Sequence, residues 1–245
     1  LSLNFLMYLK KEIMFMETSK SLKNKKILII AAHPDDEILG CGGVISKFKR
    51  NNKIQVLFLT DGVSARKKDN NKINIRRNEC LKLFKFLKIK NPIFFDFSDN
   101  ELDKSTLLNI VKKIEPIIQK FKPNIIFTHY EHCLNIDHKI AYQATITATR
   151  PLKKNHFIEQ IISYEVPSST EWRLSNKYTF IPNVYFDISK EIKNKINYLK
   201  FYKSELKKFP HSRSIKGIKT FASFRGLASG FSYAEAFLLV RKNIR

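Results

Sequence analysis

The sequence has few cysteines and no long apolar run. None of its apolar stretches approaches the roughly 18 residues that a membrane-spanning helix needs, so we expect no transmembrane segment. The three cysteines, Cys41, Cys80 and Cys133, lack the spacing of metal ligands, and we interpret them as small buried hydrophobic residues. An odd cysteine count without a recognisable signal peptide indicates a reducing compartment, so we expect a cytoplasmic location.

Acidic residues are also scarce. The chain has 22 Asp+Glu against 45 Lys+Arg, which gives a formal net charge of +23. Such an excess can indicate a nucleic-acid partner. However, only ten of the basic residues are arginine, the side chain that reads bases and phosphates best, and the lysines are spread along the whole chain. There is no RNA-binding motif either. We therefore expect no nucleic-acid partner, whereas an anionic small-molecule substrate suits this charge; the oligomeric state is left open.

The first 24 residues are set apart from the rest. The chain opens with Leu, and the apolar part of this segment has neither a basic region before it nor a small-residue cleavage site. We expect residues 1–24 to be a poorly ordered N-terminal extension. Its first part could be an upstream extension of the reading frame, with the true start at Met14 or Met16. The alternative is a short amphipathic arm. The length of the remainder, residues 25–245, suits a single domain.

Apolar runs and amphipathic segments alternate over the first 150 residues. Short apolar runs predict strands at 26–32, 54–60, 92–97 and 124–128. Helical spacing of apolar residues predicts helices at 36–50, 73–88, 104–121 and 137–149. Pro116 lies inside the third helix, where we expect a kink or a break. This alternation predicts an α/β fold with a mostly parallel sheet and helices on both faces.

The region after Pro151 is less regular. The sequence predicts strands at 161–166 and 184–188 and an amphipathic helix over 189–206. We expect the remainder, up to Arg245, to be a helical and loop-rich C-terminal elaboration of the same domain.

Ligand-type residues follow the first predicted strand, in the run His33-Pro34-Asp35-Asp36-Glu37. In open α/β sheets, ligands bind beyond the carboxyl ends of the strands. Three acids beside a histidine repel one another unless a cation holds them, and histidine and carboxylate are ordinary zinc ligands. Pro34 fixes a turn that lets His33 and Asp36 converge on one point while Asp35 faces another side. Capping of the next helix by Asp35 or Asp36 is the structural alternative.

A second cluster, with three histidines and two acids, follows the fourth predicted strand between Thr128 and His138. If the sheet brings strands one and four together, His138 could complete a site of two histidines and one carboxylate. Three protein ligands leave a position for water, as in catalytic zinc sites. Taken singly, His129 and His132 are equally well explained as loop or surface residues.

Five motifs resemble those of a known family: AHPDDEILGCGG (32–43), TDG (60–62), RRNEC (76–80), THYEHCLNIDH (128–138) and SGFSYAEAF (229–237). They are similar to motifs of the PIG-L/LmbE-like family of zinc-dependent de-N-acetylases over roughly residues 25–242. The resemblance implies a Rossmann-like fold and removal of the acetyl group from an N-acetylglucosamine-type conjugate, with release of acetate and a free amine. It also implies Zn²⁺ as the cofactor, with another divalent metal such as Fe²⁺ as the alternative.

The resemblance implies roles for individual residues. His33, Asp36 and His138 match the metal ligands, and Asp35 matches the general base that activates water. Arg76 stands where the family's arginine usually faces the substrate, with Arg77 or Arg66 as alternatives.

One motif departs from the family pattern. Asn135-Ile136-Asp137-His138 stands where many members have His-Pro-Asp-His, and the missing histidine often polarises the acetyl carbonyl. Asn135 could replace it with an amide hydrogen bond, or His129, His132 or His211 could be folded into the site, of which we favour His211. Asp137 is expected to orient a ligand or an acid-catalyst histidine.

Two further residues, His129 and Trp172, are predicted to contact the substrate. Trp172 is the only tryptophan and lies among acidic and hydroxyl residues, so we predict that it contacts a sugar. The alternative for Trp172 is packing under the sheet edge.

Two other functional classes remain. A metal-dependent amidase acting on a non-sugar substrate would use the same site. A non-catalytic Rossmann-like binding module would instead be expected to carry G-x-G-x-x-G after the first strand, where this chain has His-Pro-Asp-Asp-Glu.

Overall fold

The computed structural model describes residues 23–65 and 69–244, so nearly all of the predicted N-terminal extension lies outside the described residues. The strands are β1 (Lys26–Ala31), β2 (Lys53–Thr60), β3 (Ile93–Phe97), β4 (Ile125–His129), β5 (Gln160–Tyr164), β6 (Val184–Asp187) and β7 (Ala234–Lys242). The α-helices are α1 (Asp36–Phe48), α2 (Asn70–Leu87), α3 (Leu107–Phe121), α4 (Ile136–Ala148), α5 (Ile192–Leu199) and α6 (Ile215–Leu227). Within these two ranges, no helix combines the length and the apolar character that crossing a bilayer requires.

One sheet contains all seven strands in the order β3-β2-β1-β4-β5-β7-β6. Strands β1 to β5 run parallel to one another, and β7 runs antiparallel to both β5 and β6. Helices α1, α2, α5 and α6 pack on one face, and α3 and α4 pack on the other. The predicted α/β fold with helices on both faces is confirmed.

Burial on both faces explains the uninterrupted apolar sequence of β1. Ile27 and Ile29 belong to the hydrophobic core on one face of the sheet, and Leu28 and Ile30 belong to the core on the other. Because successive side chains of a strand point to opposite faces, a central parallel strand must be apolar throughout.

The strand order changes direction at β1. The chain goes from β1 outward through β2 and β3 and then returns to β4 on the other side of β1. A crevice forms at such a switch point, beyond the carboxyl ends of the two central strands. The segments after β1 and β4, which carry the two clusters of ligand-type residues, therefore meet there.

Pro116 does not break α3, which is one continuous helix from Leu107 to Phe121. Proline removes the hydrogen bond to the carbonyl four residues earlier, here that of Lys112. Both Pro116 and Lys112 are exposed, so water can satisfy that carbonyl. Of the expected kink or break, the break was therefore wrong, and the kink stays a prediction.

The helix predicted over 189–206 is wrong beyond Leu199, where α5 ends and the chain continues in turns. The apolar period continues past this point, but tertiary contacts override it. Tyr202 is fully buried, and its hydroxyl donates to Glu37 Oε1 at 2.6 Å. Glu205, three residues later, bonds to Arg76 instead of extending a helix.

Strand β7 was missed by the sequence analysis, which treated this region as a helical and loop-rich elaboration. Its first four residues are buried, and the strand lies between β5 and β6, where it completes the sheet. The expectation of loops here was wrong because the pairing of β7 depends on strands far away in the sequence.

A buried ion pair joins α5 to β7 and to the start of α1. Lys195 Nζ lies 2.7 Å from Glu235 Oε1 and donates to the Leu39 carbonyl at 2.7 Å. The Glu235 carboxylate also accepts from the backbone N–H groups of Gly43 and Val44. The two charged side chains are 5% and 3% exposed, so each depends on the other for compensation.

Replacing Lys195 with methionine should lower the free energy of unfolding by about 3–5 kcal/mol, because Glu235 would be left as an uncompensated buried carboxylate. Urea unfolding of Lys195→Met measures this loss. Lys193→Met, at an exposed position of the same helix, is the matched control and should stay within about 0.5 kcal/mol of the wild type. A loss below about 1 kcal/mol in Lys195→Met would mean that the pair contributes little.

Candidate functional site

The turn between β1 and α1 has an unusual backbone conformation at Asp35, with φ 137° and ψ −28°. The Asp35 N–H donates to Glu37 Oε2 at 2.9 Å, and the Asp35 carbonyl accepts from Ile38 and Leu39. The Asp35 side chain makes no capping bond to α1, so the capping alternative does not explain it. Strain of this kind persists where the surroundings fix the backbone, and it clusters at functional sites.

Three buried side chains from the two strand ends converge on one point. His33 Nδ1 lies 3.0 Å from Asp36 Oδ2, and His138 Nε2 lies 3.3 Å from the same oxygen. The two histidine nitrogens are 3.3 Å apart. A tetrahedral zinc ion with bonds of about 2.0–2.2 Å separates its ligand atoms by about 3.3–3.6 Å, close to the edges of this triangle.

Two further observations fit a cation at this triangle. Asp36 Oδ1 is buried without a hydrogen-bond partner among the residues that the structure describes, which is rare for a carboxylate oxygen. Burial opposes a charged imidazole, yet the Asp36 carboxylate outweighs it and raises the pKa of His138 to about 9. The field at this point therefore favours positive charge, which a bound divalent ion supplies.

The second ring nitrogen of His33 contacts two carboxylates. Nε2 lies 3.0 Å from Asp99 Oδ1 and 3.1 Å from Asp137 Oδ2. Asp137 is itself fixed, because its two oxygens accept from the backbone N–H groups of Asn100 and Leu102. If Nε2 carries the hydrogen and donates it to these carboxylates, the Nδ1 lone pair is available to a metal. Carboxylates commonly fix the tautomer of metal-bound histidines in this way.

By distance alone, His33, Asp99 and Asp137 could hold an ion as well. We interpret Asp99 and Asp137 as outer contacts, because Asp137 already accepts two backbone hydrogen bonds and Asp99 accepts one from Asn100 Nδ2. Asp99 is not among the residues predicted from the sequence. Its position two residues after β3, at the same sheet edge, is the signal that could have found it.

The second ring nitrogen of His138 contacts a cysteine. Cys133 Sγ lies 3.1 Å from His138 Nδ1, 3.1 Å from Ser169 Oγ and 3.5 Å from Thr170 Oγ1. Burial raises the pKa of the Cys133 thiol, but His138 and the two hydroxyls outweigh this and lower it to about 7. Cys133 is buried as expected, but its polar contacts go beyond the role of a small hydrophobic residue.

His129 lies beneath the triangle and has no exposed surface. Its Nε2 lies 2.8 Å from the Ala32 nitrogen, and its ring stacks on His138 with the centroids 3.9 Å apart. Burial holds the pKa of His129 well below its usual range, so the ring is neutral. The substrate contact predicted for His129 does not fit this burial; the ring instead supports His138 from below.

A cleft of about 190 Å³ opens beside the triangle. It is lined by His33, Asp35, Gly62, Arg76, Asp99, Asn100, Asn135, Glu205 and Arg213. Asp35 Oδ2 lies 3.0 Å from Arg213 Nη1. Burial raises the pKa of Asp35 to about 7, against the opposing effect of the Arg213 guanidinium. Asp35 is thus a buried carboxyl poised near neutral pH within reach of the cleft.

Arg76 also faces this cleft, as the resemblance implied. Its Nη1 donates to the Pro34 carbonyl at 3.0 Å, and its Nη2 bonds to Ser204 Oγ and to Glu205. Glu205 joins Arg76 to Arg213. Sequence reasoning identified neither Glu205 nor Arg213, since both lie far along the chain from the strand ends.

The remaining predicted residues are placed as follows. Asn135 caps α4, with Oδ1 accepting from Asp137 and His138, while its Nδ2 donates to Asn100 Oδ1 at 3.0 Å. His211 is absent from the cleft lining, and its Nδ1 accepts from the Arg213 backbone N–H. The ring of Trp172, which is 48% exposed, packs edge-on against His211. The structure therefore brings Arg213, rather than His211, to the candidate site.

Comparisons with known proteins agree with the motifs. Residues 28–149 match the family model described as PIG-L: GlcNAc-PI de-N-acetylase. The chain is 30% identical over 179 residues to the uncharacterized deacetylase YaiS of Escherichia coli, covering 71% of this chain and 87% of that protein. It is 26% identical over 226 residues to the diacetylchitobiose deacetylase of Thermococcus kodakarensis, covering 88% and 83%.

The fold is also similar to that of solved structures. The N,N'-diacetylchitobiose deacetylase from Pyrococcus horikoshii superposes with a TM-score of 0.71 at 22% identity, covering 88% of this chain and 84% of that one. The predicted family is confirmed: the chain belongs to the PIG-L (GlcNAc-PI de-N-acetylase) family.

Proposed function

We propose that this protein is a metal-dependent hydrolase that removes the acetyl group from an N-acetylated sugar conjugate and releases acetate and a free amine. The observation that carries the proposal is the buried triangle of His33, Asp36 and His138, with Asp35 beside it in the same cleft. The relatives named as deacetylases support this reaction, and the diacetylchitobiose deacetylase supports a sugar substrate. Residues 25–245 form the catalytic domain in this proposal, and a cytoplasmic location remains a prediction.

His33 through Nδ1, Asp36 through Oδ2 and His138 through Nε2 would hold the metal. Two imidazoles and one carboxylate are a donor set of catalytic zinc sites, so we propose Zn²⁺, with Fe²⁺ as the alternative. When bound, the ion supplies the Lewis acidity that lowers the pKa of a water molecule and polarises an amide carbonyl.

Asp35 is the proposed general base. It accepts a proton from the attacking water as the new C–O bond forms at the acetyl carbon. The same proton is then available to the departing nitrogen as the C–N bond breaks, which regenerates the carboxylate. Asp99 and Asp137 hold the ring of His33 in place, and Arg76 and Glu205 form the wall of the cleft against which the sugar is bound.

Acetate release from a panel of N-acetylhexosamine conjugates, assayed with and without a chelator, tests this function. N-acetylated amino acids serve as non-sugar controls. We expect chelator-sensitive acetate release from sugar conjugates only. Release from the amino acids instead would favour the amidase alternative, and no release from any compound would contradict the proposal.

The contact between Cys133 and His138 leads to a prediction about metal affinity. Replacing Cys133 with alanine should weaken zinc binding by about 10–100-fold, because outer contacts of metal-bound histidines are worth that much. Competition with a chromophoric chelator measures the dissociation constant. Cys133→Ser keeps a hydrogen-bonding atom and should recover part of the loss.

Cys80→Ala is the matched control, since Cys80 is equally buried but lies on the core-facing side of α2, in the hydrophobic core. It should leave the zinc dissociation constant within about threefold of the wild-type value, a margin below the smallest outer-contact effect. Equal zinc affinity in Cys133→Ala and wild type would show that the contact does not position His138.

A further inference from the structure

We propose that Arg213 is a catalytic residue that donates a hydrogen bond from Nη2 to the carbonyl oxygen of the scissile acetamide as this oxygen gains negative charge. The inference rests on the proposed function and assigns a role that the sequence analysis left between Asn135 and three histidines. Two features of the cleft support it: the way in which the Arg213 guanidinium is held, and the hydrogen bonds that the other lining side chains already make.

The guanidinium of Arg213 is fixed at three points. Nη1 lies 3.0 Å from Asp35 Oδ2 and 3.0 Å from Glu205 Oε2, and Nε donates to the Pro167 carbonyl at 3.3 Å. The side chain is only 17% exposed. A donor held in this way needs little reorganisation during a reaction, which is the property that makes electrostatic stabilisation effective.

Nη2 of Arg213 makes no hydrogen bond with any residue that the structure describes, whereas the terminal nitrogens of the neighbouring side chains each make at least one. Both terminal nitrogens of Arg76 are bonded, to Pro34, Ser204 and Glu205; its Nε has no hydrogen-bond partner among the described residues, but it is buried away from solvent. Asn135 Nδ2 donates to Asn100 Oδ1, and Asn100 Nδ2 donates to Asp99. Among the described side chains of the cleft, Arg213 thus offers a terminal nitrogen that makes no hydrogen bond, on the guanidinium that contacts the proposed base.

The pairing of Arg213 with Asp35 suits the movement of charge in the reaction. The water oxygen forms a bond to the acetyl carbon, one water proton goes to Asp35, and the carbonyl π electrons move to the carbonyl oxygen. Negative charge therefore leaves Asp35 and develops on that oxygen. When this oxygen reforms its double bond, the C–N bond electrons leave with the nitrogen, which takes the proton. Arg213 loses attraction to Asp35 as it gains attraction to the oxyanion, and such an interaction, stronger in the transition state, lowers the barrier.

The test compares Arg213→Ala and Arg213→Lys with the wild type in acetate release, zinc content and thermal stability. Loss of one oxyanion donor should reduce kcat by about 10²–10³-fold in both variants, with KM changed by less than about threefold. Lysine keeps the positive charge next to Asp35 but lacks a second nitrogen. The Arg213→Lys variant therefore tests the hydrogen bond to the carbonyl oxygen while the ion pair with Asp35 is retained. Arg50→Ala, at an exposed position at the opposite end of the sheet, is the control.

Methylguanidinium added to Arg213→Ala should restore kcat in proportion to its concentration, and methylammonium should not. A merely structural role would show no such rescue. Wild-type kcat in either variant, a loss confined to KM, or a loss that methylguanidinium does not relieve would overturn the role of Arg213 while leaving the proposed function intact. A wild-type protein that releases no acetate would instead overturn the proposed function, and this inference with it.

Discussion

Replacing Asp35 with asparagine should reduce kcat for acetate release by about 10²–10⁴-fold, the usual contribution of a positioned general base. Asparagine has the same shape but does not accept the proton of the attacking water. It also tolerates positive φ better than most residues, so the backbone at φ 137° should be kept. Zinc content, measured by elemental analysis, should equal that of the wild type because Asp35 is not a member of the triangle.

The control for this variant is Asp103→Asn, at an exposed acid outside the cleft. It should leave kcat unchanged. If Asp35→Asn keeps kcat within about threefold of the wild type, well short of the contribution expected of a base, then Asp35 is not the base. A variant that loses zinc would also count against this assignment, because it would mean that Asp35 helps to hold the ion.

Replacing His138 with alanine should abolish zinc binding under conditions in which the wild type binds one ion per chain. We expect the dissociation constant to rise by more than about 100-fold, because even outer contacts are worth 10–100-fold. Acetate release should fall with the bound zinc. Elemental analysis after dialysis and chelator competition measure the two quantities.

This variant also distinguishes between the two sets of residues that could hold an ion. The alternative set of His33, Asp99 and Asp137 does not include His138, so an ion bound there would survive the substitution. His156→Ala removes an exposed histidine far from the cleft and should leave zinc binding unchanged. Full zinc content in His138→Ala would therefore contradict the triangle and favour the alternative set.

The first four strand–helix units could be predicted because their physics is local. A central parallel strand such as β1 is buried on both faces and must be continuously apolar, and the helices next to it show one apolar face. The meeting of His33, Asp36 and His138 followed from the rule that ligands bind beyond the carboxyl ends of the strands. It also required β1 and β4 to be neighbours, as they are.

The rest of the cleft depends on contacts that no local pattern encodes. Arg213 reaches Asp35 across 178 positions of sequence, and Arg76 reaches Glu205 across 129. Both contacts require the chain to leave the helical period after Leu199, which the period itself does not predict. Cys133 looks like an ordinary small hydrophobic residue in sequence, and only the folded loop shows its sulfur next to His138 Nδ1.

The preference for His211 as the replacement for the family histidine shows the same limitation. His211 and Arg213 are two positions apart in sequence, and both types of side chain donate hydrogen bonds to carbonyl oxygens. Which of the two side chains enters the cleft depends on which one the turn before α6 directs toward Asp35. Ser214, which caps α6, fixes that turn. A sequence pattern could identify this loop as a candidate but not the side chain that enters the cleft.

The most direct test of the metal site is an anomalous difference map, collected at the zinc edge from a crystal of the zinc-loaded protein. The account predicts one peak at about 2.0–2.2 Å from His33 Nδ1, Asp36 Oδ2 and His138 Nε2, with Asp35 outside bonding distance. A peak between Asp99 and Asp137, or no peak at the three predicted atoms, would contradict it.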